Sequence, residues 1–212
     1  MAFVGGETIL RKSSYVVAET PATDLAVVRA MVEELETYLL ADQLYRTITV
    51  SFADGPQNLQ MTGADLLTRL RRLHGHWEQL SADEQHELTI LQTKTDAILQ
   101  RWHGQFQQRL RREIKARLDS LQWFLEDCTT ETQRCHIEFP FEMRNRQRID
   151  EALAMLDAPL NEPLQQRLQA VDAQIRRLAP PAPFLWDERL QPIFPKDPYW
   201  YLYRRPPHTV TA

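Results

Sequence analysis

The stretch that most constrains the fold runs from Ser81 to Cys128 and has the pattern of one long amphipathic helix. Ser81 and Glu84 have capping-box spacing, in which the hydroxyl and the carboxylate each accept a backbone N–H of the first turn. Apolar residues then recur at helical spacing with no proline between them: Leu88, Leu91, Ile98, Leu99, Trp102, Phe106, Leu110, Ile114, Leu118, Leu121, Leu125 and Cys128. An unbroken helix would be about 70 Å long, longer than a compact domain of this size is wide. The sequence therefore predicts that other parts of the chain lie along it.

The spacing of this stripe also bears on its neighbours. From Trp102 to Leu118 every apolar step is four residues, so the stripe drifts around a straight helix and does not repeat as heptads. The drift disfavours a long two-stranded coiled coil and favours helices of the same chain as packing partners. The sequence leaves open whether the helix is continuous through Gly104.

The flanking segments carry signals of shorter elements. Thr20 and Pro21 predict a helix start, because threonine is a good N-cap and proline is tolerated at the first helical position. Residues 47–61 alternate polar and apolar around a glycine-containing turn, which predicts a small β-hairpin. The stripes predict helices over residues 20–45, 62–80, 142–156 and 162–178, with a loop containing Pro140 over residues 129–141.

These patterns together predict a mainly α fold of about five helices organised on the long helix. We expect a single helical domain over residues 1–212, with an extended arm at residues 1–19 and a helical body at residues 20–178. Residues 179–212 are expected to form an irregular strap docked on the body. Eight of the thirteen prolines lie there, which forbids a helix, and seven of the nineteen aromatic residues lie there too. Disordered segments are poor in aromatic residues, so this tail is predicted to pack on the protein.

Composition narrows the class of protein. The chain is 43% apolar and 25% charged, and no apolar run approaches the roughly 18 residues that a membrane span requires. The first residues lack the charged start and apolar core of a secretory signal, so we expect a cytoplasmic protein with no membrane partner. A net charge of −4 argues against nucleic acid binding over the whole surface.

Cys128, Cys135 and His136 form a candidate constellation for site chemistry. Zinc prefers thiolate and imidazole ligands, but this spacing lacks paired ligands and needs a fourth from elsewhere. A Cys–His nucleophilic pair would need a cation beside the thiolate and a third, orienting group. The simplest interpretation is two structural thiols near a helix end, so we expect no catalytic residue, metal or cofactor.

A basic face is predicted on the long helix by Arg101, Arg111, Arg112 and Lys115, which fall within one arc at 100° per residue. Three interpretations are open. The face can simply be solvated, since Asp119 lies on the same arc. It can pair with the acidic residues 19–42, within the chain or across a dimer. It can also neutralise phosphates of a nucleic acid.

A second candidate interaction element lies in the tail. Aromatic residues and arginine dominate interface hot spots, and the residues that provide them here are Tyr199, Trp200, Tyr201, Tyr203, Arg204 and Arg205. The alternative is that the tail packs along the protein's own long helix and covers its apolar surface.

The sequence therefore predicts a non-catalytic structural or protein-interaction module, a scaffold or accessory subunit, with a protein partner or self-association. The first alternative is an accessory protein that binds nucleic acid through the basic face. The second is an enzyme with a Cys/His site in residues 128–136.

Overall fold

The computed structural model describes residues 19–208. The arm predicted for residues 1–19 therefore lies outside the described residues, apart from Glu19. The described elements are α1 (Pro21–Leu40), β1 (Arg46–Phe52), β2 (Gly55–Met61), α2 (Gly63–Gly75), α3 (Ala82–Arg101), α4 (His103–Asp127), α5 (Thr132–Ala154) and α6 (Glu162–Leu178). Short 3-10 turns lie at Trp77–Gln79, Glu188–Leu190 and Trp200–Tyr203. The predicted mainly α fold, with a small hairpin and an irregular C-terminal segment, is confirmed.

The predicted helix starts are confirmed because they rest on local hydrogen bonds. The Thr20 side chain accepts from the backbone N–H of Thr23, with proline at the next position. Ser81 and Glu84 form the complete capping box that opens α3. Such bonds depend only on neighbours in the chain, so the sequence is sufficient to locate them.

The core is centred on α1 and α4. Val27, Val28, Met31 and Leu35 of α1 are fully buried, and α1 contacts α2, α3, α4 and β1. Helix α4 contacts α5 and α6 on its other sides. The hairpin packs on α1 through β1, whose inward residues Ile48 and Val50 are buried, as its alternation predicts.

The stretch from Ser81 to Cys128, whose continuity through Gly104 the sequence leaves open, is broken at Trp102 between α3 and α4. Trp102 has φ −110° and ψ 36°, outside the helical region. Its indole Nε1 donates to Glu36 Oε1 of α1 at 2.8 Å, and Gly104, a poor helix former, follows two residues later. A contact with another helix thus holds the break, so α3 packs on α1 while α4 packs on α5 and α6.

The loop predicted over residues 129–141 is also wrong. Helix α5 begins at Thr132 and passes through Pro140 without ending. Proline removes one hydrogen bond, to the His136 carbonyl, but it does not remove the packing that holds the helix. Cys135, Phe139 and Met143 lie four residues apart and are all buried. This buried stripe outweighs the local cost of the proline.

The expectation of free thiols is corrected as well, since Cys128 and Cys135 form a disulfide with a Cα–Cα distance of 5.0 Å. Cys128 follows the last residue of α4, and Cys135 lies in the first turn of α5. The short turn between the two helices brings the two cysteines together. A long loop over this segment, as predicted, would not place them at a fixed distance.

Residues 179–208 dock on the helical body, but mainly on α5 and not along the predicted long helix. The ends of this C-terminal strap meet, with Arg205 N donating to the Pro180 carbonyl at 3.1 Å and Ala182 N to the Tyr203 carbonyl at 2.9 Å. Trp186 Nε1 donates to the Pro140 carbonyl of α5 at 2.8 Å. The proline thus lies in the part of α5 that receives the strap.

Candidate functional site

The predicted basic face is split between two helices. Arg101 is the last residue of α3, and the break at Trp102 separates it from Arg111, Arg112 and Lys115 on α4. The predicted basic face was placed on one continuous helix. Because the helix is broken, Arg101 does not lie on the same face as the other three residues.

Each cation of this face has a partner within the chain. Arg101 lies 3.6 Å from Glu36, and Arg112 Nη1 donates to Asp42 Oδ1 at 2.8 Å. These two contacts join the acidic first helix and its following loop to the basic residues, as the interpretation of internal pairing expects. Arg111 donates to the carbonyls of residues 158 and 159 at 3.2 and 3.4 Å. Lys115 donates to Asp119 Oδ2 at 3.2 Å.

The tail residues are divided between the interior and the surface. Tyr199 and Tyr201 are buried, and their hydroxyls donate to Glu151 Oε1 at 3.2 Å and to Asp150 Oδ2 at 2.7 Å. Burial raises the pKa of Tyr201 well above its usual value, and the nearby Asp150 carboxylate raises it further. These phenols therefore serve as neutral hydrogen-bond donors in the docked strap.

The other tail residues lie closer to solvent. The guanidinium of Arg176 lies 3.8 Å from the ring centroid of the half-buried Trp200. The Tyr203 hydroxyl donates to the Phe194 carbonyl at 3.0 Å, and Arg204 Nη1 donates to the Ala179 carbonyl at 2.7 Å. Arg205 is exposed. Among the large aromatic residues of the strap, Phe194 is fully buried, whereas Trp186 and Trp200 are half-buried.

A buried network of ion pairs connects α1, α2 and α5. Asp24 of α1 accepts from Arg69 at 2.8 Å and from Arg72 at 2.6 Å. Glu19 accepts from Arg72 and from Arg144 of α5, each at 2.9 Å. Paired in this way, buried charges hold helices in one fixed arrangement, because breaking any pair leaves an uncompensated charge.

Asp65 is a second node of this network. Its carboxylate accepts from Arg69 at 3.3 Å and from Arg148 at 2.7 Å. Burial alone would raise the pKa of Asp65, but the guanidinium groups of Arg69 and Arg148 outweigh burial and hold the pKa well below its usual range. The side chain is therefore an ion-pair partner, with no proton to exchange near neutral pH.

Glu113 of α4 connects the hairpin end to α2. It is fully buried and accepts from Thr62 Oγ1 at 2.6 Å, from the backbone N–H of Ala64 at 3.0 Å and from Arg117 Nη2 at 2.6 Å. Throughout residues 19–208, each buried polar side-chain atom has a hydrogen-bond partner. The internal charges thus function as structural links between helices.

The Cys/His constellation does not form the site that its spacing suggested. Both sulfurs are joined in the disulfide, so neither is a thiolate ligand or nucleophile while that bond is intact. His136 Nδ1 donates to the Pro206 carbonyl of the strap at 2.7 Å. Within the described part of the chain, no group of three His, Cys, Asp or Glu residues is placed to hold a metal ion.

One feature of α4 was underestimated from the sequence. Trp123 has a relative exposure of 80%. It belongs to a row of solvent-exposed residues on the face opposite the buried stripe, which we call the α4 stripe: Arg112, Lys115, Asp119, Trp123 and Glu126. Successive members are three or four residues apart, a spacing that places side chains on one face of a helix. The sequence alone could therefore have identified this row.

The α4 stripe borders a shallow surface depression lined by Asp119, Ser120, Gln122, Trp123 and Glu126. Arg167 of α6 forms a salt bridge with Asp119, and this hydrogen bond lowers the pKa of the Asp119 carboxyl. The depression therefore offers an exposed indole beside the ionised Asp119 carboxylate.

None of the described helices combines the length and apolar character needed to cross a bilayer. In comparisons with family models, curated proteins and solved structures, nothing matches this chain.

Proposed function

We propose that this protein is a non-catalytic protein-interaction module, a scaffold or accessory subunit, and that the α4 stripe is its principal contact surface. The observation that carries the proposal is the exposure of Trp123, a large aromatic side chain that folding leaves in solvent within a row of charged residues. Tryptophan is enriched among residues that dominate interface energies. Burying it against a partner would recover the apolar area that the isolated chain leaves in water.

The buried side of α4 holds the α4 stripe in place, which supports this role. The opposite face of α4 contributes Leu110, Ile114 and Leu118 to the core, all fully buried. Glu113 fixes the same helix to α2 and to the end of the hairpin. A surface held on such a frame loses little conformational freedom on binding, which favours affinity.

Two alternatives remain predictions. Binding of nucleic acid through Arg101, Arg111, Arg112 and Lys115 would require those cations to exchange their present carboxylate and carbonyl partners for phosphates. An enzyme using residues 128–136 would require reduction of the disulfide before any thiolate could act.

The cytoplasmic location is likewise a prediction, and the disulfide argues against it. Lasting disulfides are uncommon in a reducing cytosol. Alkylation of free thiols in intact cells, followed by mass spectrometry of the Cys128–Cys135 peptide, distinguishes an oxidised pair from two alkylated cysteines.

The proposed function is tested by affinity capture from an extract of the source organism with wild type, Trp123→Ala and Ile90→Ala. Ile90 is an exposed apolar residue of α3, outside the stripe, and serves as the matched control. We expect Trp123→Ala to lose partners that wild type and Ile90→Ala retain. Equal recovery by all three proteins, or no enrichment over an untagged control, contradicts the proposal.

A further inference from the structure

The charge of the α4 stripe changes sign along the helix. Arg112 and Lys115 lie toward the N-terminal end, whereas Asp119 and Glu126 lie toward the C-terminal end with Trp123 between them. The spacing is symmetric about Asp119. Lys115 and Trp123 each lie four residues from it, and Arg112 and Glu126 each lie seven residues from it.

This symmetry makes the stripe complementary to itself. In an antiparallel pair of α4 helices related by a two-fold axis at Asp119, Arg112 faces Glu126 of the second copy. Lys115 faces Trp123 of the second copy, where its ammonium group can lie over the indole ring. The two-fold axis produces each contact twice. A parallel pair would instead place every charge beside its own copy, so that like charges meet.

We propose that the α4 stripe binds the α4 stripe of a second copy of this chain, antiparallel and centred on Asp119. The inference rests on the proposed interaction role and specifies one partner for it. Asp119 meets its own copy at the axis, but Arg167 of α6 already offsets its charge within each copy.

Arg112 and Lys115 can leave their partners within one chain and pair with the second copy. Arg112 is paired with Asp42, whose side chain is 99% exposed, and Lys115 and Asp119 are 63% and 50% exposed. Exposed ion pairs contribute little to stability, so a second copy can replace them without loss to the fold.

The small area of the contact determines how strong the dimer is. The stripe from Arg112 to Glu126 spans about 21 Å of one helix at about 1.5 Å per residue. One helix face of this length covers much less than the about 800 Å² per partner that is typical of stable complexes. The dimer is therefore weak, forms at high protein concentration and dissociates as salt screens its ion pairs.

Oxidative cross-linking tests the geometry, because the residue on the axis lies beside its own copy. Purified full-length Asp119→Cys is oxidised and analysed on non-reducing gels, with Ile90→Cys, an exposed position on α3, as the control. We expect the dimer yield of Asp119→Cys to exceed that of the control by about tenfold and to fall to the control level in about 1 M NaCl. Equal yields at the two positions overturn the proposal.

A charge exchange tests the pairing itself in the Asp119→Cys background. Glu126→Arg should lower the dimer yield by about tenfold, and adding Arg112→Glu should restore it, since the opposite charges then face each other again. A structural effect of either substitution would not be rescued by the second. If single and double variants cross-link alike, this pairing is wrong.

The two proposals can fail separately. If no cross-link forms while capture from extract still depends on Trp123, self-association fails and the proposed function stands. If both experiments fail, the interaction role is rejected.

Discussion

The Tyr201 hydroxyl donates a 2.7 Å hydrogen bond to Asp150 Oδ2, and this contact fastens the C-terminal strap to α5. Asp150 also pairs with Arg146 one turn earlier, and the Arg146 guanidinium lies 4.9 Å from the Tyr201 ring centroid. One phenol thus contacts both members of an ion pair. Tyr201 itself is fully buried.

Replacing Tyr201 by phenylalanine should destabilise the protein by about 1–2 kcal/mol, because hydrogen bonds to charged groups contribute about 1.5–3 kcal/mol and Arg146 remains to pair Asp150. Urea denaturation measures the change. Tyr45→Phe, at an exposed position, is the control and should leave the midpoint unchanged. Equal midpoints for the two variants would show that the Tyr201–Asp150 bond contributes no net stability.

Deleting residues 180–212 should lower the melting temperature by about 5–10 °C, since each kcal/mol lost shifts the midpoint by about 2–4 °C in a chain of this size. The deletion removes the buried side chains of Phe194, Tyr201 and Leu202 and uncovers the α5 surface beneath them. We also expect binding of a hydrophobic dye. Unchanged melting with no dye binding would mean that the strap is no part of the folded unit and serves instead as a peptide ligand for a partner.

Glu113→Gln should be among the most damaging single substitutions, with a loss of about 3–5 kcal/mol. The change leaves the buried Arg117 guanidinium without its counter-charge. Glu126→Gln on the exposed face of the same helix is the control and should alter stability by less than about 0.5 kcal/mol. Chemical denaturation of both variants gives the comparison, and losses of similar size would contradict the structural role assigned to Glu113.

Stability should fall on acidification because the folded state holds the pKa values of Asp65 and Glu19 below their ordinary values. The unfolded chain therefore takes up protons first as the pH falls. The stabilisation is present above about pH 5 and is lost progressively as the pH drops through about 4 toward the lower folded pKa values. Denaturation midpoints between pH 7 and 3 measure this. Asp65→Asn should reduce the slope, and an unchanged slope would show that other carboxyls cause the loss.

Removing the disulfide by Cys135→Ala should cost about 2–3 kcal/mol, because the bond closes a short loop and restricts the unfolded chain modestly. Cys128→Ala should have the same effect, since either substitution removes the same bond. Denaturation of both variants beside the reduced wild type is the measurement. A much larger loss for one cysteine alone would indicate a packing effect and not the cross-link.

The sequence predicts features that depend on neighbouring residues better than features that depend on residues far apart in the chain. The caps predicted at Thr20 and Ser81 involve residues three apart, and both form as expected. The sequence leaves the break at Trp102 undecided because the apolar spacing continues through it, while the hydrogen bond that accompanies it is accepted by Glu36, far away in sequence.

The errors around Pro140 and the cysteines have a related origin. Proline was interpreted as the end of a helix, although the burial of Phe139 and Met143 decides the outcome. The disulfide then follows from two helix ends that meet, which no local pattern contains. At the candidate site, the sequence identified the charges of α4, but only the fold shows which of them remain in solvent beside Trp123.

The most direct test of the central claim, that the α4 stripe is the interaction surface, is site-specific photo-cross-linking in an extract of the source organism. Trp123 is replaced by p-benzoylphenylalanine, and Ile90, an apolar residue that is also exposed but lies on α3, is replaced in a matched protein. We predict discrete adducts at position 123, containing a second copy of the chain or another protein, that are absent at position 90. The same adduct pattern at both positions, or none at position 123, would contradict the account.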